Sequence, residues 1–263
     1  MRGLNIALLM LCACGRLGFD SESSPPTYTT PNGETPGTGM ASSSGSTIDN
    51  GLVAHFAFDG SLIDSITNTD ADCAGAECPS FSAGVGMGEA ASFDGAASCV
   101  HVPWLTSWMP SQYTVSAWIQ PTAMTGPVVV REHDTSCPSP DMETSDGAVG
   151  FIATDVSTGH QEAWSGSVLA SGTWTHVAIE FDGQDQTVFV NGACACSVKP
   201  LMQLAYASYE VTIGCYPAAS TWFTGAMDDV RIYDRPLGGT ELATLAGAAN
   251  STDCTAVCNT VEP

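Results

Sequence analysis

The 263-residue sequence predicts an all-β protein: one antiparallel two-sheet sandwich or jelly roll with a short helix near its C-terminus. Three observations carry that prediction. Short apolar runs alternate with polar residues at a period of two, Asp-Gly or Asn-Gly pairs separate several of them, and the pattern extends over roughly 200 residues without a fixed repeat. A 44% apolar content is enough to bury a sizeable core.

The strands follow in order. Leu52, Ala54, Phe56 and Phe58 share one face of a first strand that ends at Asp59-Gly60. Tyr113, Val115, Ala117 and Ile119 alternate with Thr114, Ser116 and Trp118 until Pro121 stops the run. Val128–Arg131 and Val149–Ala153 add two more. Trp174–Phe181 passes through Asp182-Gly183 to Val188–Val190, which turns at Asn191-Gly192. Val211–Cys215 and Met227–Tyr233 complete the set, and only Thr240–Ala246 has helical spacing.

The N-terminal residues read as an export signal. Arg2 supplies positive charge and Ile6–Ala13 an apolar stretch, far short of the roughly 20 residues that span a bilayer as a helix. Leu11-Cys12-Ala13-Cys14 resembles a bacterial lipobox, which implies cleavage after residue 13 and a lipid on Cys14; an ordinary cleaved signal is the alternative. Gly15, where inner-membrane retention requires Asp, implies an outer-membrane destination. Residues 15–50 hold 4 Pro, 6 Gly, 7 Ser and 6 Thr and no apolar periodicity, the composition of a flexible tether about 30–35 Å in mean span. The predicted organisation is a signal at 1–13, an anchor and linker at 14–50, the β-domain at 51–247 and a Cys-containing tail at 248–263.

Charge excludes several partner classes. Six Lys and Arg against 28 Asp and Glu give a net charge of −22, which argues against nucleic acid, sulfated glycans and anionic lipid surfaces. Nine cysteines remain once Cys12 is cleaved and Cys14 acylated: Cys73, Cys78, Cys99, Cys137, Cys194, Cys196, Cys215, Cys254 and Cys258. The number is odd, so at least one lies outside intramolecular pairing. No pair has the Cys-x-x-Cys spacing of a zinc site, and export favours disulfides. Cys73–Cys78 and Cys254–Cys258 are expected as local loops, whereas Cys194 and Cys196, on one strand face, are expected to reach different partners.

Six segments then resemble one family in order: Gly51–Gly60, Ala91–Gly95, Tyr113–Ile119, Gly172–Ala178, Phe189–Gly192 and Gly225–Tyr233. They are similar to the laminin G-like jelly-roll domains of the concanavalin A-like lectin and glucanase superfamily, and Arg235-Pro-Leu with the helix that follows matches the family's ending. The resemblance implies two packed antiparallel sheets whose concave face or rim binds glycans or proteins. It also implies that Trp118 and Trp174, inside strand motifs, pack in the core.

Some members carry calcium at the rim, an ion that takes six to eight oxygen ligands. Asp59, Asp228 and Asp229 are the candidate ligands, because the family motifs bring their segments together. Asn68-Thr-Asp70-Ala-Asp72 has alternating oxygens, but Cys73 replaces the glycine an EF-hand loop needs. Saccharide binding without basic residues uses aromatic platforms, for which Trp104, Trp108, Trp164, Tyr216 and Trp222 are the candidates. Catalysis is not expected. The superfamily's Glu-x-Asp-x-x-Glu motif is absent, as are Gly-x-Ser-x-Gly and His-Glu-x-x-His. Glu132, Glu162 and Glu180 read as isolated surface acids, His176 as a structural strand residue, and His55, His101, His133 and His160 show no ligand spacing. The function expected is a lipid-anchored envelope protein with a non-catalytic recognition or adhesion domain for glycan or protein, with calcium as the candidate cofactor. The alternatives are a structural envelope role without a specific ligand and a glycan-active hydrolase.

Overall fold

The computed structural model describes residues 47–131, 141–155, 159–198, 204–206, 208–249 and 254–261. The signal, Cys14 and most of the tether lie outside them, as do Glu132, His133, Cys137 and the side chain of His160. Thr47–Asp49, placed in the tether by composition, forms a 3-10 turn that leads into the first strand.

The chain folds as two antiparallel sheets. The first runs in the order Ala193–Val198, Gln186–Val190, Thr175–Phe181, Tyr113–Pro121, Thr224–Tyr233, Leu52–Phe56, Ile63–Asp64 and Thr69–Asp70. Glu89–Asp94 pairs with the first half of Thr224–Tyr233 and carries Ser80–Ala83 on its far side. The second sheet runs Asn259–Val261, Gly159–Trp164, Ala148–Asp155, Asp141–Ser145, Gly126–Arg131, Val211–Ile213 and Val100–Val102. Ala54, Phe56, Val115, Ile119, Ile179 and Ile232 of one sheet share a core with Val102, Val129, Met142, Phe151, Ala163 and Ile213 of the other. This is the predicted jelly-roll sandwich, built by the predicted alternation.

Local departures have local causes. The first strand stops at Phe56, and Phe58, though buried, has φ +54° and lies in the turn before Gly60. Gly214 at φ +78° breaks Val211–Cys215 into a strand and a separate ribbon, Cys215–Tyr216 against Thr221–Trp222. The helix spans Gly239–Leu245 and packs Leu242 with Ala178, Phe189 and Tyr233 on the outer face of the first sheet. Gly192 allows that docking, since a Cβ there would lie 2.7 Å from the Ala243 Cα. Arg235 reaches Glu241 in a bidentate pair (2.7 and 3.0 Å), and Glu241 also accepts the Gly238 amide, so the family's C-terminal signature is a helix-capping device.

The C-terminal tail is part of the sandwich, not an appendage after residue 247. Its Asn259–Val261 segment adds the edge strand of the second sheet beside Gly159–Trp164, while Val257 bridges Ser197 of the first. Two disulfides, Cys194–Cys254 and Cys196–Cys258, tie it to the first sheet. The expected local Cys254–Cys258 loop is therefore replaced by two long-range bonds, because Cys194 and Cys196 each take a tail partner. Cys73–Cys78 forms as expected, and Cys99–Cys215 joins segments 116 residues apart.

Two buried polar groups close the fold. Arg131, 2% exposed, points into one end of the sandwich, where its guanidinium donates to the carbonyls of Trp108 and Tyr209 and lies over the Trp108 and Tyr206 rings. Glu180, read from sequence as a surface acid, sits largely buried beside the helix. Burial pushes its carboxyl up to about 7, offset in part by the Leu237 amide. The folded protein thus holds this proton where the unfolded chain, at its ordinary 4.5, has lost it, so the contribution falls as pH rises through that window. Glu180→Gln is expected to gain stability over the parent as pH rises from about 4.5 to above 7, with no gain at the acid end. Urea denaturation across that range checks it; a pH-independent difference refutes it.

Candidate functional site

The central strand Thr224–Tyr233 shapes the first candidate site. Asp228 lies opposite Trp118 and Arg231 opposite Ser116, so two residues, Asp229 and Val230, face Ala117 alone. Asp229 takes φ +49°, a left-handed conformation that Asp tolerates, and makes a β-bulge. The bulge shifts the alternation by one residue. Met227, Val230 and Ile232 enter the core, while Asp228, Asp229 and Arg231 gather on the outer face.

Asp59, Asp228 and Asp229 consequently line one hollow of about 210 Å³ with Ala57, Val85, Met87 and Trp118. The two segments meet as the family motifs implied. Each carboxylate is already engaged, however. Asp59 accepts the Glu89 amide at 2.9 Å and Asp228 the Val85 amide at 2.8 Å. Asp229 accepts from His55 Nε2 at 2.6 Å and from Arg231 at 2.8 and 3.0 Å, and these bonds hold it near a pKa of 2 against its burial. Burial raises Asp228. Among the described residues no three acidic, His or Cys side chains converge on one point. The donor set does not fit calcium, which needs six to eight converging oxygens.

Trp118 belongs to this hollow, not to the core. It is half-buried on the outer face, edge-on to His176 at 5.5 Å. His176 is 1% exposed, and burial lowers it to about 4. Trp174 is likewise only half-buried, just before the strand that begins at Thr175.

The second candidate site is a rim groove of about 430 Å³ lined by Glu77, Ala96, Ala97, Cys99, His101, Glu210, Pro217 and Trp222. Each wall has a structural reason. His101 alternates with the core residues Val100 and Val102 on an edge strand and therefore faces outward, where its Nδ1 meets Glu210 Oε1 at 2.8 Å. Trp222 comes from the ribbon after Gly214, and the Cys99–Cys215 disulfide fastens that ribbon to the start of the edge strand. Glu77 ends a 3-10 turn inside the Cys73–Cys78 loop, and its carbonyl accepts the Cys99 amide at 2.7 Å. Asp94, which accepts the amides of Ala96, Ala97 and Ser98, fixes the remaining turn, and those bonds depress its carboxyl well below the usual range.

The other aromatic candidates divide. Trp104 packs near Phe56 and Trp108 edge-on to Tyr113, and both indole nitrogens are buried, so these two close an end of the sandwich and are not platforms. Tyr216 is 8% exposed and is not an open surface either. Trp164 lies half-buried across Gly150 on the outer face of the second sheet; a Cβ at 150 would come within 2.3 Å of its ring. Of the five, Trp222 lines the rim groove among polar side chains. Sequence reading missed His101, Glu77 and Glu210; the alternation Val100-His101-Val102 was the available signal for the first.

Sandwich and rim groove together define the class: a lectin-like β-sandwich suited to binding. The chain belongs to the concanavalin A-like lectin/glucanases superfamily, whose laminin G-type model matches residues 94–243. No curated protein matches it. Among solved structures it is similar to domain 4 of AbnA, an extracellular GH43 arabinanase from Geobacillus stearothermophilus in complex with arabinotriose, at 21% identity and a TM-score of 0.58, covering 74% of this chain and 98% of that one. It is also similar to the binding domain of Paraclostridial Mosquitocidal Protein 1 (16%, TM-score 0.62, 76% of this chain, 52% of that one). A third is the Ruminococcus gnavus IT-sialidase CBM40 bound to α2,3 sialyllactose (14%, TM-score 0.52, 60% and 96%). At these identities the likeness is one of fold.

Because no three of its acidic side chains converge on one point, the acidic hollow predicts that millimolar calcium leaves the melting temperature unchanged. A saturable rise in differential scanning fluorimetry, lost in Asp228→Asn, would overturn this.

Proposed function

We propose that the protein is a non-catalytic saccharide-binding module, exported and held at the bacterial cell envelope by a lipid on Cys14. The observation that carries the binding reading is the rim groove, which Trp222 lines together with the His101–Glu210 pair in a pocket fastened by two disulfides. Apolar sugar faces stack on such rings while their hydroxyls bond the polar groups around them. The disulfides fix the walls beforehand, which lowers the ordering cost of binding. Structural neighbours in complex with arabinotriose and sialyllactose support the choice of ligand class. The absence of the superfamily's acidic strand motif supports a role without catalysis. A protein receptor is the second reading, favoured by likeness to toxin binding domains.

A glycan array probed with the full-length chain tests the first reading. Saturable binding to a defined set is expected, with Trp222→Ala weakening it at least about ten-fold and Trp104→Ala affecting stability first. An array blank for the folded protein rejects it.

The membrane proposal rests on Leu11–Cys14 and the Pro-, Gly-, Ser- and Thr-rich segment to residue 50, which gives the domain clearance over a surface. Cys14→Ser is expected to abolish incorporation of labelled palmitate in a bacterial host. Undiminished labelling would show that the anchor lies elsewhere.

A further inference from the structure

We propose that the rim groove selects saccharides bearing a free ammonium group, such as oligomers of de-N-acetylated amino sugars, over neutral and anionic glycans. This deepens the saccharide-binding reading and rests on it. The argument begins with one hydrogen bond. A carboxylate only accepts, so the 2.8 Å contact between Glu210 Oε1 and His101 Nδ1 places the ring proton on Nδ1. Glu77, exposed on the wall formed by the Cys73–Cys78 loop, contributes a second carboxylate. Both carboxylates of this groove, Glu77 and Glu210, are hydrogen-bond acceptors.

A neutral sugar hydroxyl answers an acceptor with one proton. An ammonium group answers with three and carries the charge that strengthens each bond to a carboxylate. The Trp222 face suits the same ligand twice, as a stacking surface for the sugar ring and through its attraction for a cation. Anionic saccharides meet the opposite situation. The described residues contain no lysine, and the three described arginines are taken: Arg131 by buried carbonyls, Arg231 by Asp229 and Arg235 by Glu241. No guanidinium is left to receive a carboxylate or sulfate, and a chain of net charge −22 attracts cations from a distance.

The test is a calorimetric titration of the full-length chain at pH 6.5 and low salt with three oligosaccharides of matched length: glucosamine, N-acetylglucosamine and cello-oligomers. The free-amine oligomer is expected to bind at least about ten-fold more tightly than the other two, and added sodium chloride to narrow the gap. Glu210→Gln and Glu77→Gln should each weaken the free-amine oligomer severalfold more than the cello-oligomer, so that the advantage shrinks. Trp222→Ala should abolish binding of all three. Equal affinities for the three oligomers overturn the selectivity and leave the saccharide reading standing. An ammonium preference that survives in the Glu77→Gln/Glu210→Gln variant, or binding that survives Trp222→Ala, also overturns it, because the attraction then belongs to the acidic surface at large. If none of the three binds and the glycan array is blank, the saccharide reading itself falls.

Discussion

The strand Thr224–Tyr233 must satisfy two demands that a regular strand cannot meet together. It is hydrogen-bonded on one side to Tyr113–Pro121 and on the other to Glu89–Asp94 and Leu52–Phe56, so its inner face forms the middle of the core. It also carries Asp228, Asp229 and Arg231, which cannot be buried there unpaired. Regular alternation would send one set or the other to the wrong side. The left-handed residue Asp229 resolves the conflict by adding one position, and the Arg231 and His55 contacts to its carboxylate hold the bulge in place. The inward placement of Met227, Val230 and Ile232 depends on that bulge.

The same economy governs the charges. Arg131, Arg231 and Arg235 each serve the fold: one closes an end of the sandwich, one fixes the bulge, one caps the helix. Because these few cations are all consumed internally, the surface of the described domain is left overwhelmingly acidic. That bias constrains ligand chemistry more strongly than the shape of any single hollow does. The disulfides divide similarly between fold and site. Two bind the tail across the sheet edges, and two hold the walls of the rim groove.

Sequence reading failed where membership of a strand motif was taken in place of alternation, and where a distant segment decided a residue's surroundings. Trp118 sits inside a strand motif and so reads as core, yet its neighbours Ala117 and Ile119 occupy the inner face and leave it on the outer one. Glu180 reads as exposed for the complementary reason: nothing local to it announces that a helix some sixty residues later will cover that face. Glu77 and Glu210 are ordinary acids until a disulfide loop and an edge histidine bring them to one groove.

Composition and periodicity alone determined the sandwich, the strands with clear alternation, the terminal helix and the exclusion of polyanionic partners. These follow from local regularities that every residue in a run reinforces, so few errors accumulate. The tertiary structure decided which distant cysteines pair, that the tail belongs to the sandwich, and that Trp222 lies beside polar groups in the rim groove. Those outcomes depend on contacts between segments up to 116 residues apart. Such contacts arise only when the two sheets close on each other, and no window of sequence contains both partners.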